Sequence, residues 1–362
     1  MDQLEDLIRA ELRADVDPYL GTDLVSAGAV TGIATRDNTA TITIQLGFPV
    51  SRYRPELEQR LRERLASRLP EIEFTFDIDS RVVAHEVQKG VKPLQQIRNI
   101  IAVASGKGGV GKSTTAANLA VALQQEGGRV GVLDADIYGP SQPRMLASQG
   151  RPESRDGKSM EPRISYQLQT ISIGNLIEED TPMIWRGPMV TGALEQLLND
   201  TNWQDLDYLV VDLPPGTGDI QLTLCQRIPV SGAIIVTTPQ DIALLDARKG
   251  LKMFEKVNVP VLGIVENMSV HICSNCGHEE HIFGAGGGAA MAEQYGVELL
   301  GALPLDIRIR EGVDNGRPTV AVEPESRIAE IYRGIARRVA ARLALRARDY
   351  SAKFPKIVIQ NT

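Results

Sequence analysis

Hydrophobic and polar positions repeat along this chain with two different rhythms. Near the N-terminus Leu4, Leu7, Ile8 and Leu12 share one face of a predicted helix. Ala29 to Ala34 reads as a strand, and in Thr41 to Leu46 the apolar Ile42, Ile44 and Leu46 alternate with Thr41, Thr43 and Gln45. Arg36-Asp37-Asn38 between the two suits a hairpin turn. Leu57, Leu61, Leu65 and Leu69 predict a second helix from Pro55 to Leu69, and Ile72, Phe74, Phe76 and Ile78 alternate as a further strand. Residues 1–80 are thus expected to form a small α/β module. The polar stretch 81–98, with Gly90 and Pro93, reads as a linker.

Beyond it, short continuous apolar runs alternate with helical stretches. The expected strands are Ile100–Ala104, Val130–Asp134, Tyr208–Asp212, Ala233–Thr237, Val261–Glu266 and Leu299–Leu303. That alternation predicts an α/β fold, a mainly parallel doubly wound sheet with helices on both faces, over residues 99–350, with a tail at 351–362. Ligands of such sheets bind beyond the carboxyl ends of the strands.

The length of 362 residues suits two domains, and 43% hydrophobic with 23% charged residues is ordinary for a globular protein. A net charge of −7 argues against a nucleic-acid partner. MDQLEDLIRAEL is charged and amphipathic, unlike a signal peptide, and no apolar run approaches the ~20 residues of a membrane span. Three cysteines make no disulfide framework. The expectation is a cytoplasmic protein without a membrane partner.

The chemistry starts at Gly106-Lys107-Gly108-Gly109-Val110-Gly111-Lys112-Ser113, a G-x-x-x-x-G-K-[ST] phosphate loop between a strand and a helix. Its glycines let backbone N–H groups close around phosphate oxygens, and the following helix points its N-terminus at the same anion. Lys112 is the candidate for the β- and γ-phosphates, Ser113 for Mg²⁺, and Thr114 completes the site. Asp134 and Asp136 end one strand. Asp212 ends another, followed by the glycine-containing loop Pro214-Pro215-Gly216-Thr217-Gly218-Asp219. Carboxylates there can hold Mg²⁺ through water or orient an attacking water. Asn267, Pro304 and Asp306 lie at further strand ends, and an asparagine amide both donates to and accepts from an adenine edge.

Cys273-Ser274-Asn275-Cys276 stands apart, with His271, His278 and His281 around it. Three readings compete: a zinc site of Cys273, Cys276, His278 and His281, a redox dithiol, and half of a shared site in which two subunits each give two thiolates to an iron–sulphur cluster. Cys225, in an apolar helical context, reads as a core residue. Trp185 and Arg186 suit an interface patch or ordinary packing equally. The C-terminal helix, from Ser326 to Arg348, has an alanine-rich apolar side and Arg333, Arg337, Arg338, Arg342, Arg346 and Arg348. The preferred expectation is a docked helix with a solvated basic face, with a membrane-surface helix as the other reading.

KGGVGKS resembles the deviant Walker A loop of the MinD/ParA/nitrogenase-iron-protein group. GKGGVGKST, DADIYGPS, DLPPGTGD, ENMS and C-S-N-C-G-H, in that order, resemble the Mrp/ApbC family of P-loop iron–sulphur cluster carriers over residues 98–350. DPYLGTDLVSAGAV resembles the start of a small domain of iron–sulphur assembly factors, without the cysteine usual in free-standing relatives. The resemblance implies a nucleotide-sandwich homodimer in which Lys107 reaches the partner's phosphates, Asp136 positions water, Asp212 backs the magnesium, and Asn267, Pro304 and Asp306 hold adenine. It also implies that Cys273 and Cys276 of two subunits bridge a labile [4Fe–4S] cluster, taken from assembly scaffolds and passed to apo iron–sulphur proteins at the expense of ATP. The alternatives are a positioning ATPase of the same fold and a nucleotide-gated zinc-binding interaction protein.

Overall fold

The computed structural model describes residues 3–88, 90–176, 187–273 and 275–347. Trp185, Arg186, Arg348 and the expected tail at 351–362 lie outside the described residues. The N-terminal alternation folds as expected, with α1 (Gln3–Arg13), β1 (Val30–Arg36), β2 (Thr39–Leu46), α2 (Arg54–Arg68) and β3 (Glu73–Ser80). The sheet order is β1-β2-β3, with β1 antiparallel and β3 parallel to β2. Ile42, Ile44, Leu46, Phe74, Phe76 and Ile78 point inward onto Ile8 and Leu12 of α1 and Leu57, Leu61 and Leu65 of α2. The period of two in the strands and of four in the helix therefore meet in one core.

The second sheet is built from β4 (Ile97–Ala104), β5 (Val130–Asp134), β6 (Arg163–Ser165), β7 (Leu168–Ser172), β8 (Leu206–Asp212), β9 (Gly232–Thr237), β10 (Val261–Glu266) and β13 (Leu299–Ala302). Their order is β13-β10-β9-β4-β8-β5-β7-β6, and each pairing is parallel except β6 with β7. β11 (His271–Ile272) and β12 (Glu279–Glu280) form a separate antiparallel hairpin. The helices are α3 (Lys112–Gln125), α4 (Gln142–Met145), α5 (Gly187–Asp200), α6 (Asp219–Arg227), α7 (Asp241–Lys256), α8 (Gly287–Tyr295), α9 (Ile307–Asp314), α10 (Thr319–Val322) and α11 (Arg327–Ala344). α3 and α11 cover one face of the sheet, and their core runs on into the N-terminal module. α5 to α8 cover the other face.

Three expectations need correction. β6 and β7 were not foreseen: both are short, and their pattern has little period to read. The segment 81–98 is no free linker. Arg81 N–H donates to Leu46 O, buried His85 is bonded to Asn99, the buried Gln88 amide reaches Cys225 O, and β4 already begins at Ile97. Polar composition does not separate a solvated strap from one whose polar atoms meet buried backbone acceptors. The basic face of α11 is not solvated throughout either, because Arg333 and Arg337 are buried. Arg337 pairs with buried Glu126 at 2.7 Å, and its guanidinium lies over the rings of Tyr19 and Tyr53. The spacing of apolar residues gave no sign of it, since the partner is on a distant helix. Among the described residues no helix is long and apolar enough to cross a membrane.

Candidate nucleotide site and cysteine hairpin

β4 carries the chain to Ser105, and the loop 106–111 turns it into α3. Two glycines explain why the loop tolerates no side chains where it turns. A Cβ on Gly106 would stand 2.2 Å from the backbone of Asp246 in α7, and one on Gly111, whose φ is +83°, would stand 2.1 Å from Asn267 Nδ2. Lys112 is buried, ion-paired with the fully buried Asp212, and 3.2 Å from Ser113 Oγ. Gln142 Nε2 donates to Asp212 Oδ2 and to Ser113 O, both at 2.9 Å. Four sequence-predicted or newly found groups therefore interlock around the start of α3. Thr114 is half-buried in its first turn, and Lys107, also half-buried, makes no ion pair among the described residues.

The two aspartates after β5 divide their work. The fully buried Asp134 accepts from the N–H groups of Asp136, Ser141 and Gln142 and from Ser172 Oγ, so it ties down the loop that follows it. Burial first, and then the charge of Asp212, push its carboxyl well above the ordinary range. Asp136 is also buried, and its Oδ1 has no hydrogen-bond partner among the described residues. Burial raises its carboxyl too, while the charge of Lys112 pulls the other way. After Asp212, the loop 214–219 is held at Gly216, whose N–H donates to Ser105 O at 3.0 Å, and by Gln221 Nε2, 2.6 Å from Pro215 O.

Asn267 leaves β10 and touches the phosphate loop, its Nδ2 donating to Val110 O at 2.9 Å. The chain then pairs onto the exit of β13. Ser269 N–H donates to Leu303 O and Leu305 N–H to Val270 O, and His271 bridges to Leu305. This brings it to β11 and the turn at Cys273. Pro304 and Asp306 follow the end of β13. They line a cavity of about 560 Å³ with His271, Cys273, His281 and Ile331. Asp306 caps α9 through Arg308 N–H at 2.8 Å, and its bond to the Arg308 guanidinium holds its carboxyl below the usual range.

Cys276 is exposed and Cys273 partly so. The turn is closed by Cys273 N–H to His278 O and Gly277 N–H to Cys273 O, both 2.9 Å. Backbone N–H groups of Cys276 and Asn275, then the Cys276 side chain, lower the Cys273 thiol from its ordinary value. His281 Nδ1 lies 2.7 Å from Ser269 O and His271 Nδ1 3.2 Å from Leu305 O, so both rings brace the hairpin. Among the described residues no three His, Cys, Asp or Glu groups converge on one point, and the four-ligand zinc set is not assembled. Cys225 is fully buried, with its thiol pushed up to about 12 by burial, as a core residue should be. The sequence reading missed Gln142 and the anchoring role of Asp134. Asp134 ends β5 at the head of the D-A-D-I-Y-G-P-S run and Gln142 directly follows that run, and neither position shows its long-range contacts.

Residues 96–340 match the family model described as NUBPL iron-transfer P-loop NTPase. The chain belongs to that family. Residues 5–74 separately match the model described as iron–sulfur cluster assembly protein. An iron–sulfur cluster carrier protein of Pseudomonas fragi is 61% identical over 262 residues, 72% of this chain and 91% of that protein. The protein of the same description from Escherichia coli K12 is 53% identical over 327 residues, 90% of this chain and 89% of its own. Among solved structures, a nucleotide-binding protein of Archaeoglobus fulgidus in complex with ADP aligns with a TM-score of 0.56 and 36% identity, over 66% of this chain and 93% of that one. The parallel sheet and phosphate loop are thus those of the P-loop NTPases.

Proposed function

We propose that this protein is an ATP-hydrolysing iron–sulphur cluster carrier. Two protomers hold a labile cluster between their Cys273 and Cys276 thiolates and hand it to apo-proteins. The observation that carries the reading is the segment leaving β10. Asn267 bonds the phosphate loop at Val110 O, and a few residues on the same backbone presents Cys273 at the exposed turn. A change in the loop's position therefore reaches the thiols through one hydrogen bond and a short stretch of backbone.

In this mechanism the phosphate-loop amides and the α3 N-terminus cradle the triphosphate. Lys112 exchanges its pairing with Asp212 for the β- and γ-phosphates, and the partner's Lys107 adds a second cation, as an arginine finger does in trans. Ser113 Oγ, backed by Asp212, offers the hard oxygen donors that suit Mg²⁺, which would neutralise charge on the phosphates. The unpartnered Asp136 Oδ1 accepts a hydrogen bond from water and aims it at the γ-phosphorus. The water oxygen bonds to that phosphorus while one of its protons passes to a γ-phosphate oxygen, the bond to the β–γ bridging oxygen breaks, and ADP and phosphate leave. Asn267, Pro304 and Asp306 are assigned to the adenine. The loops after Asp136 and Asp212 then relax and alter the dimer contact that holds the cluster. The setting proposed is the cytoplasm, with assembly scaffolds as donors.

The test is anaerobic reconstitution followed by iron, sulphide and zinc analysis per protomer, with wild type beside Cys273→Ala and Cys276→Ala. About two irons and two sulphides per protomer are expected for one [4Fe–4S] per dimer, lost in both variants. Stoichiometric zinc without sulphide would overturn the carrier reading.

A further inference from the structure

α3 carries the phosphate loop at one end and a buried ion pair at the other. Lys112 and Ser113 open it, and Glu126 is its C-cap, about 20 Å away along a rigid helix. Glu126 is 1% exposed, and both its carboxylate oxygens are bonded, one across the boundary with the N-terminal module and one to α11. Oε2 accepts from the backbone N–H groups of Arg52 at 3.0 Å and Tyr53 at 3.2 Å, the unpaired donors at the start of α2. Oε1 accepts from Arg337 Nε of α11 at 2.7 Å. Arg337 in turn donates to Tyr19 OH at 2.9 Å and sits against the Tyr19 and Tyr53 rings. Ser51 N–H donates to Glu126 O at 2.9 Å, and a Cβ on the next residue, Gly127, would stand 2.5 Å from Ser51 Oγ. The module is therefore seated on the last turn of the phosphate-loop helix, with no slack between them.

A buried ion pair is a poor source of net stability, because desolvation offsets the attraction, but it fixes one geometry at both partners. We propose that Glu126 is a positioning residue. Held by Arg337, it locks the far end of α3 to the N-terminal module, so that the module moves with the phosphate loop and reports nucleotide state. The inference rests on the reading that residues 106–114 bind ATP. It makes the module part of the switch rather than a tethered accessory.

Hydrogen exchange on the full-length protein, with and without a non-hydrolysable ATP analogue and Mg²⁺, tests it. The Arg52 and Tyr53 amides, remote from the nucleotide, are expected to slow by about tenfold together with those of residues 106–113. Arg337→Lys, which keeps a cation opposite Glu126, should retain that response, and Arg337→Met should lose it while the phosphate loop stays protected. A merely structural pair predicts protection at 106–113 with no change at Arg52 and Tyr53, and that result overturns the inference. So would a response that survives in Arg337→Met. If that variant does not fold, the wild-type measurement decides alone. No protection at 106–113 would instead overturn the ATP-binding reading.

Discussion

The phosphate loop and the cysteine hairpin are built in opposite ways. At the loop, Lys112, Asp212, Asp134 and Gln142 are buried and bonded to one another or to backbone. At the hairpin, two strands of two residues each flank a turn in which Cys276 is exposed and Cys273 partly so, braced by imidazole contacts to backbone carbonyls. The loop stabilises charge at a fixed place, which demands low dielectric and preset dipoles. On the proposed function the hairpin takes up and releases a cargo, which demands accessible thiolates. Asn267 and the pairing of residues 269–271 with 303–305 join a rigid site to an open one.

The comparison breaks most visibly at the buried pair. Asp212→Ala should cost about 3–5 kcal/mol, because it strands the Lys112 ammonium in the core. Denaturant unfolding would read that loss, and nucleotide binding should go with it. Gly111→Ala comes next. It places a Cβ against Asn267 and imposes a strained φ, for about 1–3 kcal/mol and a weakened hold of Asn267 on Val110. Thermal unfolding and nucleotide titration would check it. Cys273→Ala should move stability by no more than about 0.5 kcal/mol, since the site is open, yet abolish cluster loading. An equal stability loss at both sites would show that the contrast is wrong. Alkylation sharpens it without mutation. In the apo-protein at neutral pH Cys273, with its thiol lowered, should be modified well before Cys225, whose raised pKa and burial keep it protonated and covered. Raising the pH through the ordinary thiol range should speed modification of Cys273 and leave Cys225 still protonated and unmodified, and peptide mass mapping would follow it.

How much of this was legible in the sequence varies with the range of the contact. The phosphate loop, Asp212 and the Cys-x-x-Cys turn are local patterns with local consequences. The strands at 41–46 and 72–78 also show their buried faces directly. Arg337 looked solvated because a helical pattern counts arginines as surface, while its partner Glu126 lies on α3 and its aromatic neighbours in the N-terminal module. The strap at 81–96 looked like a linker because its polar groups are matched by Asn99, Cys225 O and Ile228 O, none of them near in sequence. Asp306 also caps α9 and holds Arg308, a use that a strand-end position does not reveal.

On the proposed function, nucleotide at the buried site controls cargo at the open one. The direct measurement is the rate of cluster transfer from the reconstituted protein to an apo-ferredoxin, with ATP and with a non-hydrolysable analogue. The account predicts that the analogue slows transfer by about tenfold while the cluster remains bound. Equal rates with both nucleotides, at saturating binding, would contradict it.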